Sequence, residues 1–485
     1  MSKRVFPLLK TISVVVSASF MISSVLVGCG SSNSSNQTTT SSNSQTQASS
    51  SSNEKITLTY MTTDKPDVTN EILARFKVKY PNIDFDLIEL AKDNTQMTTE
   101  QTVAKFDTSI ASGQTIDLFT TGGGTGVIRP RALNGTLLPL DEYIKKDGIN
   151  MDETFIKGSS YTCTFGDAKQ WFTLPLARSM YPVYYNKDMF KAAGLADPTK
   201  EWTLDDLMSY AKKLTKGEGA NKVFGAWIPV DWGWFVGVPA QVGGWQDYTV
   251  QDGKKIANFL DPNLKKTIET YYQMSVVDKT NPSATEITMN KLNMVDYFAA
   301  GKTAMIVGNG WALGELQKAR ALGKMNFDLG VAPLPRVNKD VSLDVSASEI
   351  TGGLSIPKTS KHPYEAFQFM KFVSLECADV IRQLPASTKV DKALVLKLLG
   401  SYVDENGKKY DNLFKEEELL NYFDDREGFK SYYKMHEDAY DGPLWGVLGD
   451  EMGKIVTKSK SIDQGINDMM TRGTQEIAKV DANTK

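Results

Sequence analysis

The chain has 485 residues, of which 41% are hydrophobic and 23% charged, and its formal net charge is −3. Hydrophobic cores stop growing near about 250–300 residues, so this length predicts more than one lobe or domain. The composition excludes collagen-like, fully disordered and multi-span membrane proteins. The sequence has no basic excess that would indicate nucleic-acid binding. Its two histidines and three cysteines leave little material for a zinc site or a histidine-dependent active site.

The first 28 residues have the pattern of a secretory signal. Three basic residues within the first ten precede an apolar stretch, 12–27, which is short and serine-rich for a membrane span. The stretch ends in Leu-Val-Gly and then Cys29, which resembles a bacterial lipobox. That resemblance implies cleavage before Cys29 and a lipid on its thiol, and an uncleaved membrane anchor is the alternative. In both cases the bulk of the chain is expected at the outer face of the cell membrane.

Residues 29–55 are predicted to form the lipidated cysteine and a flexible tether. The stretch 31–53 consists almost entirely of Ser, Asn, Gln and Thr, and it cannot bury enough apolar surface to offset its ordering entropy. Such a chain reaches a few tens of ångströms. The two other cysteines, Cys163 and Cys377, either pair or remain buried free thiols.

From residue 56 onward, strand and helix patterns alternate. In chain order they are a strand from Ile56, a helix through Phe76 that ends at Pro81, a strand around Phe85, a strand at 116–119, a helix capped by Thr203 and Asp206, and a helix over 364–373. This order predicts an α/β fold with mainly parallel sheets. No second linker-like stretch divides the chain, so two lobes must be interwoven.

Motifs of catalysis and nucleotide binding are missing from the sequence. The glycines at 122–124 do not have dinucleotide-site spacing, and Gly301-Lys302-Thr303 lacks the upstream glycine of a phosphate loop. There is no G-x-S-x-G elbow. We therefore expect no enzyme, no catalytic or metal-binding residues and no cofactor, with ATP hydrolysis left to another subunit. The facing carboxylates of a glycosidase are not visible in a sequence and stay an alternative.

Four tryptophan-bearing segments stand beside glycine or proline, a setting typical of loops and element ends. They are 232–235, 243–245, 310–311 and 443–446. A flat apolar ring suits the C–H face of a sugar, so the pattern favours a carbohydrate site. An ordinary core position is the alternative for each tryptophan.

An ordered set of short motifs carries a family resemblance. The motifs are LLPLD at 137–141, PVYYNKDMF at 182–190, WTLDDL at 202–207, GKTAM at 301–305, GVAPLP at 330–335, GGLSIP at 352–357 and the helix over 364–373. Together they resemble the extracellular solute-binding proteins of ABC importers, in particular the large sugar-binding family that includes maltose-binding protein. The resemblance covers residues 56–480. It implies a two-lobed α/β fold of the type II periplasmic-binding-protein class, whose lobes close on a ligand.

The resemblance also implies the limits of the lobes. Crossovers are expected near 177–179 and 350–352. The first lobe then takes 56–177 and about 353–436, and the second takes 178–352 and about 437–485.

Candidate ligand-binding residues follow from the resemblance and from chemistry. By resemblance, Trp311 and Trp445 match stacking tryptophans, Asp64 and Lys65 match polar contacts, and Gly123 lies in a loop where maltose binders carry charged contacts. The lack of charge in that loop argues against maltose itself. By chemistry, Trp232 and Trp234 are further stacking candidates, and Arg178 and Glu349 flank the crossovers, where they either face the cleft or form structural ion pairs.

The sequence thus predicts a lipid-anchored, monomeric, non-catalytic protein that captures a carbohydrate, in particular an oligosaccharide, and delivers it to an ABC permease. No nucleic acid is expected as a partner. A binder of a polyamine or an anion, and a surface glycoside hydrolase, are the alternatives.

Overall fold

The computed structural model describes residues 54–63, 66–90, 99–120, 125–156, 158–166, 168–229, 233–308, 310–341, 348–381, 384–389, 392–404, 407–423 and 440–483. The predicted signal, Cys29 and the tether up to residue 53 lie outside this part of the chain. Within it, no helix combines the length and the apolar character needed to span a membrane.

The helices are α1 (Pro66–Lys79), α2 (Thr99–Ala111), α3 (Thr125–Leu133), α4 (Asp141–Lys146), α5 (Met151–Thr154), α6 (Ser159–Cys163), α7 (Lys187–Ala192), α8 (Leu204–Leu214), α9 (Gly233–Val242), α10 (Pro262–Tyr272), α11 (Ala284–Asn290), α12 (Met294–Ala299), α13 (Gly310–Ala321), α14 (Pro363–Glu376), α15 (Ala378–Ile381), α16 (Lys392–Gly400), α17 (Glu416–Phe423), α18 (Asp441–Val456) and α19 (Ile462–Asn483). The strands are β1 (Ile56–Thr62), β2 (Ile83–Glu89), β3 (Leu118–Thr120), β4 (Thr164–Phe165), β5 (Gln170–Trp171), β6 (Pro175–Met180), β7 (Val183–Asn186), β8 (Tyr248–Gln251), β9 (Lys254–Ala257), β10 (Met305–Val307), β11 (Leu329–Ala332), β12 (Ser348–Gly352), β13 (Leu354–Ser355), β14 (Leu384–Pro385), β15 (Tyr402–Val403) and β16 (Lys409–Tyr410).

The first lobe is built on a sheet with strand order β13-β3-β1-β2. Strand β1 pairs in parallel with both β2 and β3. Successive residues of β1 point to opposite faces: Leu58 and Tyr60 pack in one apolar cluster, and Met61 packs in another with Phe106 and Phe119. Because helices cover both faces, the central strand is apolar on both sides, as parallel sheets require.

The second lobe is built on a sheet with order β10-β7-β11. Val183 and Tyr185 of β7 face one large apolar cluster, and Tyr184 faces another. Strand β7 is antiparallel to both neighbours. The expectation of mainly parallel sheets therefore holds for β1, β2 and β3 and is wrong for this sheet. The reason is that β7 enters from the edge at which β10 and β11 end.

Three strands outside the two main sheets, in the order β12-β6-β14, form the connection between the lobes. Strand β6 leads into β7 of the second lobe, and β12 leads from that lobe into β13 of the first. Close approach here requires glycine: a Cβ on Gly352 would lie 2.3 Å from the Thr173 side chain. The lobes are interwoven and belong to one compact unit, Asn53–Lys485.

Residues after β14 return to the second lobe. Leu399, Phe414 and Leu419 pack in the cluster of that lobe. The buried Glu418 carboxylate accepts hydrogen bonds from Arg320 at 2.8 Å and from the backbone N–H of Leu329 at 2.7 Å. We therefore propose that the returning part of the first lobe ends near residue 385, whereas the resemblance implied a limit near 436.

The two cysteines of the described part of the chain form no disulfide. Cys163 and Cys377 are both fully buried, and their sulfurs are not bonded to each other. Burial raises the pKa of the Cys377 thiol to about 12, so this sulfur stays protonated and unreactive at neutral pH. Of the two alternatives left open by the sequence, the disulfide is excluded by this arrangement.

Candidate ligand-binding site

Two tryptophan-bearing helices of the second lobe start at the same sheet edge. The segment 224–228 runs parallel to β10, with Trp227 opposite Ile306, and the Trp227 N–H donates to the Met305 carbonyl at 2.8 Å. A helix follows each of these two segments: α9 comes after segment 224–228, and α13 comes after β10. The carboxyl ends of parallel strands meet at one edge, so the helix starts meet there too. Trp234 and Trp311 are each the second residue of their helix.

The first lobe presents an equivalent edge. Strands β1 and β3 are parallel and end at Thr62 and Thr120. The Tyr60 and Thr120 hydroxyls lie 2.7 Å apart, and the Thr120 hydroxyl donates to Thr62 Oγ1 at 3.3 Å, in a buried network. Asp64, Lys65 and Gly123 follow these strand ends in the sequence and lie outside the described residues.

Both edges adjoin the same crossing strands. Val183, the first residue of β7, pairs with Val307 at the end of β10. Leu354, the first residue of β13, pairs with Thr120 at the end of β3. Because β7 follows β6 and β13 follows β12, the carboxyl edge of each sheet lies beside the connection between the lobes. A ligand held there would touch both lobes, as a clamp requires.

Trp311 offers an accessible ring at this edge. It is 45% exposed, whereas Trp245 is 1% exposed. The next residues of α13, Ala312 and Leu313, are buried in the second-lobe core. The helix is thus anchored by its buried side, while the Trp311 side chain keeps nearly half of its surface exposed.

Trp445 is engaged in packing between helices. Its ring meets Trp245 edge-on, with 5.8 Å between centroids, and it packs against the large cluster of the second lobe. A Cβ on Gly237 of α9 would lie 2.3 Å from the Trp445 ring, so glycine makes this contact possible. Trp445 therefore supports α9, and its contact with a ligand stays a prediction.

Arg178 and Glu349 occupy adjacent positions of the crossing ladder. Arg178 lies opposite Ile350 in β12 and opposite Leu384 in β14, whereas Glu349 lies opposite Ser179. Successive pairs of an antiparallel ladder alternate between the faces of a sheet. The two residues thus occupy opposite faces, so the structure does not bring them together on one side of the connection.

The structure leaves the remaining candidates as predictions. Trp232 lies outside the described residues, and Trp234 and Glu349 are described by their backbone alone. No group of three or more His, Cys, Asp or Glu side chains suited to a metal ion occurs within the described part of the chain.

Sequence reasoning missed the hydroxyl network of Tyr60, Thr62 and Thr120. The signal was a threonine at the end of each apolar strand, but the strand neighbours that bring the two threonines together are not visible without the sheet order.

The sequence matches a known protein family. The family model for bacterial extracellular solute-binding proteins matches residues 62–376. The chain belongs to this family.

Among curated relatives, the sn-glycerol-3-phosphate-binding periplasmic protein UgpB of Escherichia coli (strain K12) is 25% identical over 303 residues, which are 59% of this chain and 61% of that protein. A binding protein of Brucella abortus (strain 2308) is 34% identical over 122 residues, 25% of this chain and 27% of that protein. The matches thus span less than two thirds of each relative.

Solved structures show the same two-lobed fold. The ABC substrate-binding protein Lmo0181 of Listeria monocytogenes, in complex with cycloalternan, has a TM-score of 0.66 at 20% identity and covers 88% of this chain and 100% of its own. UgpB of Mycobacterium tuberculosis, in complex with glycerophosphocholine, has a TM-score of 0.64 at 18% identity and covers 87% and 99%. These likenesses confirm the predicted two-lobed α/β fold, and the family-model match confirms the predicted family.

Proposed function

We propose that this solute-binding protein captures a carbohydrate, in particular an oligosaccharide, for an ABC permease. The observation that carries the proposal is that α9 and α13, each with a tryptophan as its second residue, start at the sheet edge beside the crossing strands. Each ring can cover one sugar face, so two tryptophan positions suit a ligand longer than one sugar ring. The cycloalternan in the Listeria structure supports a saccharide ligand.

In this proposal the residues act from both lobes. Trp311, Trp232 and Trp234 stack on sugar rings, and Trp445, which also packs against α9, is the fourth stacking candidate. Asp64 and Lys65, with the backbone of the loop at Gly123, bind hydroxyls from the first lobe. Arg178 and Glu349 lie at the connection, on opposite faces. Polar groups left unpaired by a wrong sugar would provide selectivity.

Closure is driven by differential affinity. A ligand that contacts both edges binds the closed form more tightly than the open form, and this difference shifts the equilibrium. The closed form would then dock on the permease as a monomer. No group of the described chain is assigned a catalytic role.

A lipid at Cys29 would hold the protein at the outer face of the cell membrane. The support is the lipobox-like Leu-Val-Gly-Cys and the Ser-rich stretch behind it. Acyl chains contribute about 0.8 kcal/mol per buried methylene, and more than one chain gives stable anchoring. Mass spectrometry of the mature N-terminus tests the anchor, and an unmodified Cys29 would contradict it.

A glycerophosphate compound is the second candidate ligand. The UgpB protein of E. coli is named for sn-glycerol-3-phosphate, and that of M. tuberculosis was crystallised with glycerophosphocholine. This candidate is one form of the anion-binding alternative.

A thermal-shift screen against oligosaccharides, glycerophosphocholine, sn-glycerol-3-phosphate and polyamines tests the proposal. A ligand at a hundred times its Kd adds ~2.7 kcal/mol to stability, which is readily seen. A shift with oligosaccharides and no hydrolysis products supports the proposal. A shift with glycerophosphates or polyamines alone overturns the carbohydrate, and released sugar overturns the non-catalytic role.

A further inference from the structure

In the second lobe, the strand-like segment 224–228, which precedes Trp232 and Trp234 in the sequence, is hydrogen-bonded to neighbouring backbone on both sides. On one side, segment 224–228 pairs with β10. On the other side, the Ala226 N–H donates to the Thr280 carbonyl at 3.1 Å. The backbone cannot continue this second ladder as a donor, because Pro282 has no N–H.

The side chain of Asn281 continues the pairing where the backbone stops. Its Oδ1 accepts a hydrogen bond from the Ile228 N–H at 2.6 Å, and its Nδ2 donates to the Ile228 carbonyl at 3.1 Å. Nδ2 also donates to the Ser275 hydroxyl at 3.2 Å. Asn281 and Ile228 are each 2% exposed, so the pair is sealed from water. Loss of the amide would leave two buried backbone groups unsatisfied.

An irregular helix end puts Asn281 in this place. Helix α10 continues into a wide π-type turn at Gln273–Val277. After it, Lys279 adopts a left-handed conformation with φ of 52°, and the Thr280 N–H returns to the Met274 carbonyl at 2.8 Å. Turns of the π type interrupt a regular helix and are frequent at functional sites. Here the turn directs residues 280–281 alongside 226–228.

Ile228 directly precedes the tryptophans of this part of the chain. Residues 229–232, with Trp232, follow it in sequence, and α9 with Trp234 begins at Gly233. We propose that Asn281 is a positioning residue for ligand binding: by clamping both backbone groups of Ile228, it fixes the point from which the chain continues to Trp232 and to the first turn of α9. The proposal rests on the carbohydrate-binding function proposed above.

The test compares Asn281→Ala with a matched control, Gln368→Leu. Gln368 is a buried amide of the first lobe, and its Nε2 donates a hydrogen bond to Asp147 at 2.9 Å. It lies more than 100 residues along the chain from Trp232 and Trp234. In the ligand-free full chain, amide hydrogen exchange should rise within 226–241 for N281A and should not rise there for Q368L. Unchanged exchange within 226–241 in N281A would overturn the positioning role. Should N281A fail to fold, Asn281→Ser, which keeps one hydrogen-bonding oxygen, replaces it.

Binding is measured with maltotriose and glycerophosphocholine as probes of the two ligand classes. We expect N281A to raise the Kd about tenfold and Q368L to leave it unchanged, even if both lower the unfolding temperature. In a background that carries both Trp232→Ala and Trp234→Ala, the further effect of N281A should fall below twofold. In a Trp311→Ala background it should stay near tenfold, because coupling is confined to residues that act together.

The outcomes separate the two proposals. If the unsubstituted protein binds no sugar in the screen, the proposed carbohydrate-binding function fails. If it binds a sugar but N281A leaves the Kd for that sugar unchanged, or shows the full tenfold effect in the background with both Trp232→Ala and Trp234→Ala, the role of Asn281 fails and the function stands.

Discussion

The exposed ring of Trp311 distinguishes it from Trp245 and Trp445, which pack in the large apolar cluster of the second lobe. We expect Trp311→Ala to weaken ligand binding at least tenfold, or ~1.4 kcal/mol, because the stacking surface is lost while the buried side of α13 is unchanged. Titration calorimetry measures the effect. Leu322→Ala is the control, since Leu322 is an exposed apolar residue just beyond the other end of α13. An unchanged affinity in W311A would refute the stacking role.

Glu451 is the centre of a charge cluster between the last two helices of the second lobe. Its carboxylate is fully buried and accepts hydrogen bonds from Lys454 at 2.8 Å, Lys460 at 2.6 Å and Arg472. Burial by itself would raise the pKa of Glu451, but these three cations outweigh it and hold the pKa below its ordinary value of 4.5. The cluster thereby joins α18 to α19.

A lowered pKa in the folded state has a definite consequence for stability. The contribution of Glu451 is fully present above the pKa of the unfolded chain and is lost as the pH falls from about 4.5 through the lower folded-state pKa. We expect Glu451→Gln to lower the free energy of unfolding by about 1.5–3 kcal/mol at pH 7 and by clearly less at pH 3. Urea unfolding at both pH values measures this. An equal loss at the two pH values would show that the charge is not the cause.

At the scale of elements, the contact between α9 and α18 depends on the absence of a side chain. A Cβ at Gly237 would meet the Trp445 ring at 2.3 Å, whereas a Cβ at Gly446, in α18, would meet nothing within 4 Å. Gly237→Ala should therefore lower stability by about 1–3 kcal/mol through overpacking. Gly446→Ala should raise it by about 0.5–1 kcal/mol, because alanine favours a helix. Urea denaturation compares them, and equal effects would contradict this account of the helix contact.

Elements determined by local patterns were predictable from the sequence. The alternation in β1 and the Thr203–Asp206 capping box of α8 are confirmed, since each needs information from only a few neighbouring residues. The role of Asn281 was not predictable, because its partner Ile228 is 53 positions away. The packing of Trp445 against Gly237 likewise depends on a long-range contact, so glycine beside tryptophan alone did not separate it from an exposed ring.

At the scale of the whole molecule, the sequence predicted interwoven lobes from the lack of a linker, and the crossing strands have that arrangement. The strand direction in the second sheet and the third crossing strand, β14, were not predictable. The residues that return to the second lobe, 392–423, carry ordinary apolar patterns that fit either lobe. Long-range contacts assign them: Leu399, Phe414 and Leu419 pack in the second-lobe cluster, and Glu418 accepts hydrogen bonds from Arg320 and Leu329.

Hinged lobes predict a change of shape that depends on ligand. If contacts from both sheet edges favour the closed form, saturating ligand should reduce the radius of gyration measured by small-angle X-ray scattering. The Trp311→Ala variant should reach the same compact state only at a higher ligand concentration, because the substitution removes affinity and leaves the crossing strands intact. Identical scattering with and without saturating ligand would mean that the lobes do not close, and the clamp would have to be replaced by a preformed site. Compaction in the unsubstituted protein at a given concentration, absent in W311A at that concentration, would connect the exposed ring to closure of the whole molecule.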